Sequence, residues 1–170
     1  MPEEIVKALL DRRAFLTACA AALLPFPALA AAGDPAAPII AIYKRALGDR
    51  GGNFVFQTRA DRARYFSHEL RTLWNKADAR TAKGDQNPPG FDPITNSQDP
   101  MVKDPRVEVK ERSRNTALVA ASFIGWDDAA RTTVLYAMRR SRGRWVIDDI
   151  RGTTDGTQWS IKKIVHDWQG

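Results

Sequence analysis

Residues 132–150 read TTVLYAMRRSRGRWVIDDI, and this stretch decides the fold. Two runs rich in β-branched and aromatic residues, Thr132–Arg140 and Arg144–Ile150, flank Ser141-Arg142-Gly143, whose brevity and glycine read as a tight hairpin. Upstream, Thr116–Gly125 is β-rich again and runs into Trp126-Asp127-Asp128. Before it, Val107 and Val109 alternate with charged residues after Pro105. Four strands with short connections pair antiparallel with their neighbours.

Further upstream the period changes from two to about 3.6. Ile39, Ile42, Tyr43, Ala46 and Leu47 mark a helix that starts at Pro38 and stops at Gly48, before Gly51-Gly52. A longer helix is expected from about Arg59 to Lys83. Its stripe is Ala63, Phe66, Leu70, Leu73, Trp74 and Ala77, with most charged residues off it. Gly84 to Pro105 holds seven Gly and Pro residues, so no long element passes through it; Phe91, Ile94 and Met101 are expected to pin it as an ordered loop. After a Gly152–Gly156 turn, Trp159, Ile161, Ile164, Val165 and Trp168 outline a short C-terminal helix. The sum is an α+β domain, with N-terminal helices packed on a curved four-stranded antiparallel sheet around a cone-shaped cavity.

The chain has 170 residues, 44% hydrophobic and 27% charged, enough for one domain and an appendage and too apolar for disorder throughout. The appendage is residues 1–30. Ala14 to Ala30 carries no charge, follows Arg12-Arg13, is interrupted by Pro25 and Pro27, and ends in Ala28-Leu29-Ala30. That is the layout of an export signal with an A-x-A cleavage site, and residues 12–16 fit the twin-arginine export machinery. Leu16-Thr17-Ala18-Cys19 also fits a lipobox, but too little apolar sequence separates Arg13 from Cys19. The expected organisation is therefore a signal at 1–30, a flexible lead-in at 31–37 and a single domain over 38–170. The expected place is the periplasm or the exterior, with no transmembrane helix in the mature form.

Clipping after Ala30 removes the single cysteine, and with it disulfides, thiolate catalysis and Cys-ligated zinc. The net charge of +6 is too diffuse for a nucleic-acid binder. His68 and His166 read as exposed helix residues, and no phosphate loop or paired-histidine motif occurs. No cofactor or metal is expected.

The ligand-binding candidates are Asp92, Gln98 and Asp99 in the loop FDPITNSQDP (91–100), with Trp145, Asp148 and Asp149 in the last strand. The loop either offers oxygens to a polar ligand or uses its carboxylates to cap its own turns. Strict alternation would put Val146, Asp148 and Ile150 on one face and Trp145, Ile147 and Asp149 on the other. A cavity Asp meeting Asp92 or Asp99 would form an acid/base pair; alternatively it ties the loop to the sheet. Four tryptophans, Trp126, Trp145, Trp159 and Trp168, fit core packing before a ligand face. Arg139, Arg140, Arg142 and Arg144, with Arg151 nearby, form a basic patch and are the partner-surface candidates.

The signal, Arg64-Tyr65-Phe66, Phe91-Asp92-Pro93-Ile94, Ser97-Gln98-Asp99 and Trp145–Ile150 together resemble the domain-of-unknown-function 3828 family over about Pro38 to Trp168. That resemblance implies a small bacterial envelope protein with a nuclear-transport-factor-2-like, cystatin-like cone, and no assigned catalytic residues. The expected function is non-enzymatic binding of a small molecule or an envelope protein partner. The alternatives are a small hydrolase or isomerase working through cavity carboxylates, or an immunity or inhibitor protein.

Overall fold

The computed structural model describes residues 33–48, 56–125 and 130–169. The expected signal at 1–30, Cys19, Gly51-Gly52 and Trp126-Asp127-Asp128 lie outside the described residues. The elements are helices α1 (Ala37–Gly48), α2 (Arg59–Tyr65) and α3 (His68–Arg80), strands β1 (Lys103–Arg112), β2 (Thr116–Ile124), β3 (Arg131–Ser141), β4 (Arg144–Thr154) and β5 (Thr157–Ser160), and helix α4 (Ile161–Asp167). The strands form one antiparallel meander in the order β1-β2-β3-β4-β5. Among the described residues, no helix is long and apolar enough to cross a membrane.

The sheet has five strands, not four. Past Ile150, β4 continues to Thr154 and pairs with β5, so that Gly152 lies opposite Trp159. A Cβ on Gly152 would sit 2.3 Å from the Trp159 ring, so only glycine admits that indole. Trp159 thus belongs to a strand, and the terminal helix begins two residues later with Ile161 and Val165 fully buried.

The long helix expected over 59–83 is two helices. Ser67 caps the second by accepting from the Leu70 amide at 3.2 Å. Its own amide donates to the Ile147 carbonyl at 2.7 Å, and Phe66 bridges Ile147 as a short parallel pairing. The free edge of β4 thereby outcompetes two residues of helix, and the break sets α3 beside β4 and α4.

β4 also departs from strict alternation. Ala137 pairs with Asp149 but Met138 pairs with Ile147, which leaves Asp148 as the extra residue of a bulge. Ile147 and Ile150 therefore share the core face with Met138 and Tyr136, while Asp149 lies on the opposite face with Ala137. One cluster joins that core face, through Val119, Phe123, Tyr136 and Ile147, to Ile39, Ile42 and Tyr43 of α1, Leu70 and Trp74 of α3, and Val165 of α4. Of the lead-in expected over 31–37, residues 31 and 32 lie outside the described residues; beyond them the Asp34 carboxylate accepts from the Ala36 amide, and the Gly33 carbonyl accepts from Trp145 Nε1 at 2.8 Å.

Candidate functional site

The carboxylates singled out in the sequence have separate partners. Asp92 is buried and accepts from the Ile94 amide at 3.1 Å and the Thr95 hydroxyl at 2.8 Å, an Asx-type turn closed by the Asp92 amide on the Ser97 carbonyl. Burial pushes its pKa up, against those hydrogen bonds. Asp149, also buried, accepts from the Ser160 hydroxyl, from Arg151 at 2.7 Å and from the Lys162 amide at 2.9 Å, so it holds the first turn of α4 onto the sheet. Asp148 pairs with Arg139 at 3.0 Å and Lys162 at 3.5 Å. Gln98 and Asp99 are exposed, and the Asp99 amide donates to the Ser97 hydroxyl. Trp145 packs in the core with its indole on Gly33. His68 and His166 are exposed, beside Arg71 and Asp167. Among the described residues, no group of three His, Cys, Asp or Glu could hold a metal ion.

Pinning of the long loop relies on one residue the sequence reading passed over. Asn96, with φ of 53°, donates to the Thr153 carbonyl at 2.9 Å and accepts from Thr154 Oγ1 and Trp159 Nε1, each at 2.8 Å. Phe91 stacks edge-on against Trp159 at 5.1 Å, and Ile94 is buried as expected. Val102, rather than Met101, completes the attachment to the core. The Ile94 carbonyl accepts from the Tyr43 hydroxyl at 2.8 Å. That bond uses Tyr43's single proton, so at 3.1 Å it is Tyr136 that donates to Tyr43. Burial first, and then Tyr136 and Asp92, push the Tyr43 pKa well above the ordinary phenol range.

The loop so fixed forms one wall of a cleft of about 650 Å³. Pro88, Pro89, Gly90, Phe91 and Pro93 face Phe56 and Trp74 across it, with Gln57, Gln86 and Asn87 at its polar margin. The opposite wall is a stack: Phe56 lies 4.6 Å from Phe66, and Phe66 lies 5.4 Å from Trp74. Arg62 holds this wall together. It is 2% exposed, its guanidinium lies 5.6 Å from the Trp74 ring centre, and its Nη1 donates to the Phe56 and Gln57 carbonyls at 2.9 and 3.0 Å. Its Nη2 donates to the Asp78 carboxylate on α3. Burial draws the Arg62 pKa down while Asp78 opposes it, and a guanidinium stays charged in either case. At the entrance, Thr58 caps α2 by accepting from the Asp61 amide at 3.0 Å. Against the opposing effect of partial burial, Thr58 and Arg45 hold Asp61 below the usual carboxylate range.

Among the described residues lining the cleft, only Arg62 and Asp78 are charged, and they neutralise one another. An anion would have to displace Asp78 from Arg62, and a cation would have to draw Asp78 away from it. The cleft is thus apolar and aromatic in its depth, polar at its rim and balanced in charge, within the size range of small-molecule sites. Sequence reading missed it because it joins three separate segments, 56–62, 74–78 and 86–93. One signal was present: Arg62 falls four residues before Phe66, in line with the apolar stripe, where a cation must find a buried partner.

Fold and cleft together define an α+β domain whose helices pack on an unclosed five-stranded antiparallel sheet, with a small-molecule-sized cleft between helix and loop. Comparison with protein-family models, with curated proteins and with solved structures brings no match.

Proposed function

We propose that this domain binds an uncharged small molecule with a flat apolar face in the cleft between α3 and residues 86–93, and performs no chemistry on it. The observation that carries the reading is the cleft itself, a cavity of about 650 Å³ with aromatic and proline walls and a lining whose two charges cancel. An apolar ring face gains by covering Phe91, Pro89 and Pro93, while amide or hydroxyl groups reach Gln57, Gln86 and Asn87. The separate capping bonds of Asp92 and Asp149 favour binding over carboxylate catalysis. In this reading the domain is an exported envelope protein of the periplasm or exterior, delivered by the signal at 1–30. The cone-shaped, nuclear-transport-factor-2-like fold implied by the family resemblance belongs to the same proposal.

Native mass spectrometry of the full chain, purified from an exporting bacterial host, tests the reading. The wild type is expected to carry a copurifying neutral mass. Asn87→Trp, an exposed rim position at which an indole would fill the cleft, is expected to lack it. An apo mass for both proteins, or the same adduct on both, would overturn the proposal.

A further inference from the structure

A second surface, independent of the cleft, lies at one end of the sheet. The β1–β2 turn at 113–115 and the β3–β4 turn at 142–143 lie side by side there, joined by the Arg140 amide on the Asn115 carbonyl at 2.8 Å. They bring together Arg112, Arg114, Arg140, Arg142 and Arg144, which are distant in sequence. Arg142 (φ 49°) and Gly143 (φ 81°) supply the left-handed conformations that a two-residue hairpin needs, which puts Arg142 at the tip. Arg114, Arg142 and Arg144 are exposed, and Arg144 reaches the Ala63 carbonyl beside Arg64 rather than a carboxylate. Two members of the patch expected from sequence do not contribute, because Arg139 is paired with Asp148 and Arg151 with Asp149. Among the described acids near this end, Asp34 uses its carboxylate on the Ala36 amide and Asp148 is paired with Arg139.

The same end receives the chain from its apolar leader. The Gly33 carbonyl is held by Trp145 Nε1 at 2.8 Å and by Arg112 Nη2 at 3.3 Å, and Arg112 stacks over the Trp145 ring at 6.0 Å. The charge-free run Ala14–Ala30 ends three residues before Gly33. Three extended residues span about 10 Å, close to the screening length at physiological salt. An anionic surface reached by that run would meet the exposed Arg114, Arg142 and Arg144 of the same end.

We propose that this arginine-bearing end docks on the anionic phospholipid headgroups of a membrane, with the two turns laid against the surface. Charge and placement select that occupant, since each arginine near an anionic surface adds to binding and the leader delivers this end to the bilayer first. The patch keeps its charge after clipping at Ala30, so docking does not require the leader to remain.

Flotation of the full chain with phosphatidylcholine vesicles, and with vesicles of phosphatidylcholine mixed with phosphatidylglycerol, tests this. The wild type is expected to prefer the mixed vesicles, and the preference to fall with added salt. The triple variant Arg114→Glu/Arg142→Glu/Arg144→Glu is expected to lose about tenfold or more of that preference. The milder Arg114→Gln/Arg142→Gln, which leaves both turns chemically quiet, is expected to lose an intermediate share. A control with the same charge change elsewhere, Lys83→Glu/Arg106→Glu/Lys163→Glu, is expected to keep most of it. Equal losses in the patch and control variants would overturn the proposal. So would a wild type indifferent to phosphatidylglycerol, which would leave an acidic protein surface as the occupant.

Discussion

The sheet and the cleft wall are held by different physics. In β2, β3 and β4 the core face is a run of apolar side chains at fixed period, with Val119, Phe123, Tyr136, Ile147 and Ile150 nearly inaccessible to water. Around the cleft, by contrast, a few polar side chains fix whole segments: Arg62 ties residues 56–57 and α2 to α3, and Asn96 ties the loop to the β4–β5 hairpin. Burial proportional to area is robust to small changes, whereas a segment held by one or two polar groups fails when that group is removed. The cleft is the region where single substitutions should change shape, and the sheet the region where they should change only stability.

The largest effect expected from this contrast is in the sheet. Ile150→Ala should lower unfolding free energy by about 2–5 kcal/mol in urea titrations, through lost transfer energy and the residual cavity. The cleft itself should keep its geometry. Next comes Asp78→Asn, which leaves the Arg62 guanidinium buried without a counter-charge and should cost about 2–3 kcal/mol. The double variant Arg62→Met/Asp78→Asn should recover part of that loss, and a double variant as unstable as the sum of the singles would remove the coupling. Asn96→Gly keeps the positive φ but deletes three hydrogen bonds. It should cost about 1–2 kcal/mol and, unlike Ile150→Ala, abolish amide-exchange protection selectively over residues 92–97.

The smallest effect is one of sign. Burial raises Asp92 above its unfolded pKa, so the folded state holds that proton more tightly than the unfolded chain. The stability it contributes is full below the unfolded pKa and is lost as pH rises through the folded one. Asp92→Asn, which does not titrate, should therefore gain on the wild type as pH rises from about 4 toward neutrality. Paired thermal melts across that range read the slope, and a variant that instead loses ground toward neutrality would contradict the burial argument.

The same contrast governs what the sequence disclosed. Four of the five strands were legible as β-rich runs, and the Ser141-Arg142-Gly143 turn could be read directly. Strand β5 could not, because Thr157–Ser160 is four residues long and mostly polar, and owes its place to pairing with β4 and to the Gly152–Trp159 contact. The break between α2 and α3 was masked because Phe66 and Leu70 fit one helical stripe, yet Ser67 carries a capping signal and the edge of β4 supplies a competing acceptor. Asp148 altered the facing of β4 through a bulge that no alternation rule contains. The candidate carboxylates were visible as residue types, whereas their capping partners, Lys162 and Ile94, became evident only from the fold. The cleft needed Arg62, Asp78 and residues 86–93 brought together, a juxtaposition no local pattern encodes.

Thermal-shift titration of the wild type and Asn87→Trp, with ligand pairs that differ only in carrying a charge, tests the central claim most directly. The account predicts stabilisation of the wild type by neutral members with a flat ring face, weaker stabilisation by their charged counterparts, and none for Asn87→Trp. Stabilisation that favours the charged members, or that persists undiminished in Asn87→Trp, would contradict it.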